Sequence, residues 1–324
     1  MEYNYVPDLE SAGFTILESA SFSFWIPDSL GEDETVRGVI AISDFIINRY
    51  LFFDPRWREL AEKLKFGLLL QQVTEPRHTF KLSRGEEGLK AIFHAMEYFS
   101  EVSGHPEVKY SGLIHIGPSE AAFQAPQFAF LNPQRTIAVI AVHGSPVTKH
   151  IEVLDGPLGL VPRLQVMCET DRYTPSYRIY HFLLEGRKYG ALWTSLYQGK
   201  VPHDRIGQPD FMIKWIEDVV KLRVPENIPR DKLPEFKAIS DKDGYLGYLQ
   251  LKSDGTLETS EDKLFYAPYS EYQGDKSKAC WIPSEELARL WHEYNLREDA
   301  FDHVLEEIMG EHQAAEAAAA QAQA

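Results

Sequence analysis

Short, continuous hydrophobic runs alternate along the chain with longer segments whose apolar residues recur every three or four positions. The first pattern predicts strands covered on both faces, and the second predicts amphipathic helices. Predicted strands span residues 36–43, 66–73, 111–117, 136–144, 164–171 and 191–199, and predicted helices span residues 57–65, 85–104, 118–132, 173–190 and 208–224. This alternation predicts an α/β fold with a mostly parallel central sheet and helices on both faces.

Both ends of the chain depart from this alternation. Residues 14–30 alternate in polarity, which predicts one or two antiparallel strands. Beyond residue 224 a proline-punctuated linker leads to an aromatic-rich segment, for which we expect strands or hairpins and then a helix from about Ser284. An alanine-rich end follows, either a continued helix or a frayed tail. We therefore predict a main domain at residues 1–225, an appendage packed on it at 226–312, and a tail at 313–324. We expect the appendage aromatics to serve packing rather than substrate recognition.

The stretch GPSEA at residues 117–121 places a serine between a predicted strand and a predicted helix. It resembles the nucleophile elbow G-x-S-x-G, in which small residues flank the serine because a bulky side chain would strike the neighbouring strand or helix. In such an elbow the strained backbone pushes the serine Oγ out above the sheet. A serine that caps a helix is the common alternative, and the pentapeptide by itself leaves both interpretations open.

A serine nucleophile needs a histidine base and an acid that orients the base, which follow the serine in the order acid, then histidine. Asp171 stands at the end of the next-to-last predicted strand, and His203 lies in the loop after the last one. Ligands of parallel sheets bind beyond the carboxyl ends of the strands, where all three residues fall. We therefore predict that Ser119, Asp171 and His203 form a catalytic triad.

Other residues compete for these roles. Glu169 is the alternative acid, Asp155 is a third option, and Asp204 is expected to cap or solvate its loop. The remaining histidines under consideration precede the serine, lie inside an element or come before the acid: His78, His94, His105, His115, His143, His150 and His181.

Composition narrows the classes of partner. Acidic residues number 49 against 33 Lys and Arg, giving a net charge of −16, so the basic footprint of a nucleic-acid binder is missing.

The two cysteines form no C-x-x-C pair, and they are expected to be ordinary buried thiols, with one disulfide as the alternative. Nucleotide-binding and metal-binding motifs are missing, so we expect no cofactor and no metal. No run is apolar for long enough to span a membrane. The first residues show no secretory signal, which leaves a cytoplasmic location, or a secreted or periplasmic one after signal removal.

Taken together, these segments resemble an α/β-hydrolase over residues 14–225. The resemblance is carried by GVIAIS, WRELAEKLKFGLLL, IGPSEAA, LQVMCETD and VPHD, which match the strand before the oxyanion loop, the first helix and next strand, the elbow, the acid strand and the histidine loop. Residues 103–144 are similar to esterases of the polyhydroxybutyrate-depolymerase and feruloyl-esterase type. This resemblance implies a serine hydrolase that cleaves carboxylic esters through an acyl-enzyme.

One segment departs from that family. Its members carry a His-Gly or glycine-rich turn after the third strand, whose N–H is the second donor to the oxyanion, whereas this chain has ISDF and no glycine. We expect the N–H groups of Glu120 and of Phe45 or Ile46 to serve as donors. Asp44, Ile46 and Trp193 are expected to contact the substrate. A carboxylate turned inward at Asp44 would oppose the oxyanion.

Three functions follow. The first is a serine esterase acting on a small-molecule or polymeric ester, with a homodimer as the expected assembly if it is not monomeric. The second is a hydrolase-like fold that binds without hydrolysing, which the altered oxyanion segment favours. The third is a serine peptidase, which ranks last because such enzymes usually carry a large propeller or cap that this chain is too short to supply.

Overall fold

The computed structural model describes residues 1–74, 86–144, 159–171 and 173–323. The candidate residues His78, His150 and Asp155 lie outside these ranges. The described part of the chain forms twelve strands and seven helices. The strands are β1 Glu2–Tyr5, β2 Ser19–Trp25, β3 Gly38–Ser43, β4 Phe66–Thr74, β5 Leu113–Pro118, β6 Thr136–Val142, β7 Arg163–Cys168, β8 Trp193–Gln198, β9 Tyr245–Leu251, β10 Leu257–Glu258, β11 Leu264–Pro268 and β12 Cys280–Ile282. The helices are α1 Pro55–Leu64, α2 Glu86–Val102, α3 Ala121–Leu131, α4 Ser176–Arg187, α5 Asp210–Arg223, α6 Glu285–Asn295 and α7 His303–Gln323.

Eight strands form the main sheet in the order β1-β2-β4-β3-β5-β6-β7-β8. The pairs β1/β2 and β2/β4 are antiparallel, and all pairs from β4/β3 to β7/β8 are parallel. The predicted mostly parallel α/β sheet is therefore confirmed, as are the six predicted core strands to within a few residues. Strand β1 was not predicted, because an alternation over only four residues is too short to distinguish a strand from a loop.

Helices cover both faces of this sheet because successive strand residues point to opposite sides. Ile40 and Ile42 belong to the same core cluster as residues of α1 and α5, including Trp57 and Trp215. Val39, Ala41 and Leu69 face the other way and pack with α2 and α3, including Phe99 and Phe128. Helix α4 lies against this second face near β8, where Phe182 stacks on Trp193 with ring centroids 5.3 Å apart.

The appendage is a four-stranded antiparallel sheet, in which β10, β11 and β12 pair with β9, together with α6. It shares its core with the main sheet, since Trp291 and Tyr294 lie in the same buried cluster as Leu164 and Leu196. It also covers the edge strand β8, because the indole N–H of Trp291 donates to the carbonyl of Ser195 at 2.6 Å. Bonds of this kind satisfy backbone groups that would otherwise be open to pairing with another chain. The division of the chain into domains stays a prediction.

Helix α7 runs past the segment that follows β3. Its Leu305 is fully buried. The ring of His312 packs on that of Phe53 with ring centroids 4.0 Å apart, and the amide nitrogen of Gln313 lies 3.4 Å from the hydroxyl of Tyr50. Glu306 pairs with Arg205, two residues beyond His203. The end of the chain is therefore a helix whose first half is docked on the molecule. No helix in the described ranges has the length and apolar character that crossing a bilayer requires.

Candidate active site

Ser119 stands in the turn between β5 and α3, at the carboxyl end of a central strand. Its φ is +48°, a left-handed conformation that non-glycine residues rarely adopt. The turn is held by the N–H of Ser119, which donates to the carbonyl of Val142 at 2.8 Å. Such strain turns the side chain of a residue away from both elements, and a helix starts directly afterwards.

Two glycines make room for this turn. A Cβ on Gly117 would lie 2.4 Å from the carbonyl oxygen of Ala121, and a Cβ on Gly144 would lie 2.5 Å from the carbonyl oxygen of Ser119. Both distances are far below van der Waals contact with backbone atoms that have no freedom to move. Gly117 is the small residue that the elbow motif requires before the serine. Gly144, just beyond the end of β6, was not predicted to belong to the site.

Strand order and this turn together decide the fold. Two antiparallel strands precede a parallel series with order β4-β3-β5-β6-β7-β8, and a strained serine follows the central strand β5. The protein has the α/β-hydrolase fold. In this fold the loops after β3, β5, β7 and β8 meet at one edge of the sheet, because the carboxyl ends of parallel strands lie together.

The hydrolase fold brings Ser119, His203 and Asp171 into hydrogen-bond contact. The Oγ of Ser119 lies 2.8 Å from Nε2 of His203, and Nδ1 of His203 lies 2.9 Å from Oδ2 of Asp171. A carboxylate only accepts, so the ring proton belongs on Nδ1 and the lone pair of Nε2 faces the serine hydroxyl. The side chain of His203 is 12% exposed and that of Asp171 is 1% exposed, so the mostly buried ring keeps limited contact with solvent and the carboxylate has almost none.

Asp171 is held as an anion by its neighbours. Burial acts to raise the pKa of its carboxyl, but hydrogen bonds from His203 and from the N–H groups of Thr174 and Tyr173 outweigh burial and lower the pKa. Both N–H groups donate to Oδ1 at 2.8 Å, which leaves Oδ2 for the histidine. The alternative acid Glu169 is turned away, since its Oε2 accepts the N–H of Lys200 at 2.8 Å.

The segment after β3 differs from the expected oxyanion loop. The N–H of Asp44 donates to the carbonyl of Gln71 at 2.7 Å, and the N–H of Phe45 donates to the carbonyl of Ser43 at 2.9 Å. The expected donor at Phe45 is therefore engaged in a tight turn of its own segment. Burial raises the pKa of Asp44, and Arg49, whose Nε lies 3.5 Å from its Oδ1, opposes that shift. The Asp44 carboxylate thus has a cation beside it.

The remaining candidates divide between the two edges of the sheet. Glu120 adjoins Ser119 at the start of α3, and the backbone of Ile46 begins a short 3-10 turn after β3 at the same edge. Trp193 begins β8 at the opposite edge and is 1% exposed, packed against Phe182. The expectation that Trp193 contacts the substrate is wrong, because parallel strands place the first residue of β8 a full strand length away from the end that carries His203.

Two residues near the triad were not predicted to belong to the site. Tyr173 is 82% exposed, and its ring lies 5.0 Å from that of His203. His143, which was set aside as a base because it precedes the acid, is fully buried and contacts the backbone of His203. The signal for each was its place at or just beyond the carboxyl end of a predicted strand. Both cysteines are free and buried. Within the ranges described, no group of three or more His, Cys, Asp or Glu side chains could hold a metal ion.

Comparison with known proteins gives likeness of fold at low identity. No family model matches the sequence, and no curated protein matches it. A thermostable esterase is 11% identical over 63% of this chain and 58% of its own, with a TM-score of 0.46. A CIB-like hydrolase from Thermoplasma acidophilum is 12% identical over 68% of this chain and 98% of its own, with a TM-score of 0.45. An α/β serine hydrolase without a lid from Xanthomonas campestris is 14% identical over 70% of this chain and 97% of its own, with a TM-score of 0.43.

Proposed function

We propose that the protein is a serine hydrolase that cleaves carboxylic esters. The proposal rests on one observation, the relay of hydrogen bonds from Ser119 through His203 to Asp171 at 2.8 and 2.9 Å. A serine hydroxyl is a weak nucleophile until a neighbouring base takes its proton, and the base needs an acid to hold its tautomer and to stabilise its charged form. The strained turn at Ser119 supports the same role.

The reaction proceeds in two halves. Nε2 of His203 takes the proton of Ser119 as Oγ attacks the ester carbonyl, and Asp171 stabilises the imidazolium. His203 then gives the proton to the alcohol oxygen as the ester bond breaks. The alcohol departs, and the acyl group remains bound to Oγ of Ser119. Water attacks the acyl-enzyme with His203 again as base, and the carboxylic acid leaves as Oγ recovers its proton. No metal or cofactor is needed to balance these steps.

Oxyanion stabilisation is the weak point of this site. The proposed first donor is the N–H of Glu120, at the start of α3, where the helix dipole adds to it. The proposed second donor is the N–H of Phe45, which has to leave the carbonyl of Ser43 before it can serve, or the N–H of Ile46. Loss of one such donor costs about 10²–10³ in rate. We therefore expect esters with good leaving groups to react and unactivated esters to react slowly.

Labelling with a fluorophosphonate tests the proposal. Mass spectrometry of the labelled protein should place the phosphonate on Ser119, and Ser119→Ala should lose both the label and the hydrolysis of p-nitrophenyl esters. Ser21→Ala, at a partly exposed serine in β2 far along the sheet, is the matched control and should keep both. Label on another residue, or full ester hydrolysis by Ser119→Ala, would contradict the proposal.

A binding protein without hydrolysis is the second candidate, favoured by the engaged N–H of Phe45. The two candidates predict different results in the same experiment. A slow hydrolase is labelled at Ser119 and turns over p-nitrophenyl acetate measurably above Ser119→Ala. A binding protein binds the ester, and its hydrolysis rate equals that of Ser119→Ala.

A further inference from the structure

The end of β6 lies beneath the triad and touches two of its members. A Cβ on Gly144 would strike the carbonyl oxygen of Ser119 at 2.5 Å, so the backbone here already lies against the nucleophile turn. The preceding residue, His143, has φ of +51° and no exposed surface. A left-handed conformation at a non-glycine residue costs about 1–3 kcal/mol, and such strain persists where the surroundings over-determine it.

The ring of His143 reaches from β6 past the end of β7 to the loop that carries the base. Its Nδ1 lies 3.2 Å from the carbonyl oxygen of His203, and its Nε2 lies 3.1 Å from Oε1 of Gln198 at the end of β8. Its own N–H donates to the carbonyl of Val166 at 3.0 Å, which fixes the backbone from which the ring projects. His143 therefore spans β6, β7 and β8 under His203.

Both ring nitrogens of His143 face acceptor oxygens, so a neutral ring can donate to only one of the two. Oε1 of Gln198 already accepts the N–H of Gly207 at 3.2 Å, and the amide nitrogen of Gln198 donates to the hydroxyl of Tyr294. Among the described residues, the ring of His143 is the donor offered to the carbonyl of His203. A neutral imidazole has one N–H, and burial lowers the pKa of His143, so the neutral form is the relevant one. With the proton on Nδ1 this carbonyl has its partner, and the lone pair of Nε2 then faces Oε1 of Gln198, which keeps the N–H of Gly207 as its donor.

We propose that His143 is a positioning residue, which holds the backbone of His203 so that Nε2 of His203 stays in reach of Ser119. This inference rests on the proposed function. The side chain of His203 is fixed at two points, Asp171 and Ser119, but neither contact sets the height of the loop above the sheet. The bond from His143 acts from below on the backbone of His203 itself, whereas the hydroxyl of Thr170 holds the loop two residues earlier, at the carbonyl of Val201. A displacement of about 1 Å at a reacting group can cost about 100-fold in rate.

Two variants separate this role from simple packing. His143→Gly accepts the positive φ and removes the donor, whereas His143→Asn tolerates the same φ and places its amide nitrogen near the position of Nδ1. We expect kcat on p-nitrophenyl acetate to fall about 100-fold in His143→Gly with KM within about threefold, and to recover by tenfold or more in His143→Asn. Rates of fluorophosphonate labelling at Ser119 should change in parallel with kcat.

His115→Gln is the matched control. His115 is also a buried histidine, on the adjacent strand β5, and it packs against Phe128 of α3 rather than against the triad. Its substitution should lower stability and leave kcat within about twofold at a temperature where the variant is folded. Circular dichroism checks folding in every case, and His143→Gly is assayed at a temperature at which it is folded.

The outcomes distinguish the two proposals. If the wild-type protein is not labelled at Ser119, both the proposed function and the positioning role are wrong. If it is labelled and His143→Gly keeps kcat within about threefold, the positioning role alone is wrong. The same holds if His143→Asn recovers nothing over His143→Gly, because packing rather than the donor would then explain the loss.

Discussion

At the scale of single residues, the geometry around Ser119 depends on the absence of a side chain at two nearby positions. Ser119 itself is strained, and the strain is tolerated because Gly117 and Gly144 allow backbone atoms to approach closely. A methyl group at either position would meet a carbonyl oxygen at about 2.5 Å or less. Backbone carbonyl oxygens in the turn and in the first turn of a helix cannot move away as the end of a flexible side chain can. A new Cβ would therefore strain the turn at Ser119.

Gly144→Ala is therefore expected to lower the free energy of unfolding by about 1–3 kcal/mol and to reduce ester hydrolysis. The reason is the contact of the new Cβ with the carbonyl oxygen of Ser119. Urea denaturation measures the first effect and a p-nitrophenyl ester assay the second. Gly31→Ala is the control, since a Cβ there meets no atom within 4 Å, and its stability should stay within about 0.5 kcal/mol. Equal stability of the two variants would contradict this account.

At the scale of elements, the loops after β3 and β8 are joined by a helix that the sequence left undecided. Helix α7 contacts Tyr50 and Phe53 beyond β3, and its Glu306 pairs with Arg205 beyond His203. Its docking depends on Leu305, which is fully buried, whereas its neighbour Val304 is 46% exposed. The side chains of the alanine-rich second half of α7 are exposed, so docking is concentrated in the first half of the helix, up to Gln313.

Leu305→Ala should lower the free energy of unfolding by about 2–5 kcal/mol, because it removes a buried side chain and leaves a cavity. Val304→Ala removes an exposed side chain from the adjacent position and should stay within about 0.5 kcal/mol. Thermal and urea denaturation of the two variants side by side measure the difference. A small effect of Leu305→Ala would mean that α7 contributes little to the fold.

At the scale of the whole molecule, burial of ionisable groups couples stability to pH. His115 lies in the centre of the sheet, and burial, aided by the charge of Arg135, lowers its pKa to about 3. The folded protein therefore keeps the ring neutral, while the unfolded chain binds a proton below about pH 6.5. Stability contributed by the neutral ring is present above that pH and is lost as the pH falls toward 3, by at most about 1.4 kcal/mol per pH unit.

His115→Gln should consequently show a shallower loss of stability than wild type between about pH 6.5 and pH 3. Free energies of unfolding from urea titrations at several pH values give the two slopes. His181→Gln, which removes an imidazole from an exposed position of α4, is the matched substitution with which the slope of His115→Gln is compared. Identical slopes in wild type and His115→Gln would show that His115 does not titrate in this way.

Much of the fold could be predicted because its signals are local. Core strands such as β6 and β8 are apolar runs, and α2 and α5 repeat their apolar residues at the helical period. Each of these elements can therefore be predicted from its own residues. Strand β1 has only four residues and no buried face, which is too short a pattern to predict. Trp193 shows the limit of such signals, since an apolar side chain in a strand gives no information on which edge of the sheet carries the site.

For the candidate site, the sequence by itself determined the serine flanked by small residues and the order of serine, acid and histidine, because the turn and the chain order are properties of neighbouring residues. Tertiary structure decided the rest. It brought Asp171 rather than Glu169 to His203, engaged the N–H of Phe45 with Ser43, and set His143 beneath the histidine loop. The physical reason is that these contacts join residues of different strands, and their distances depend on how the strands pair and pack, which no local pattern encodes.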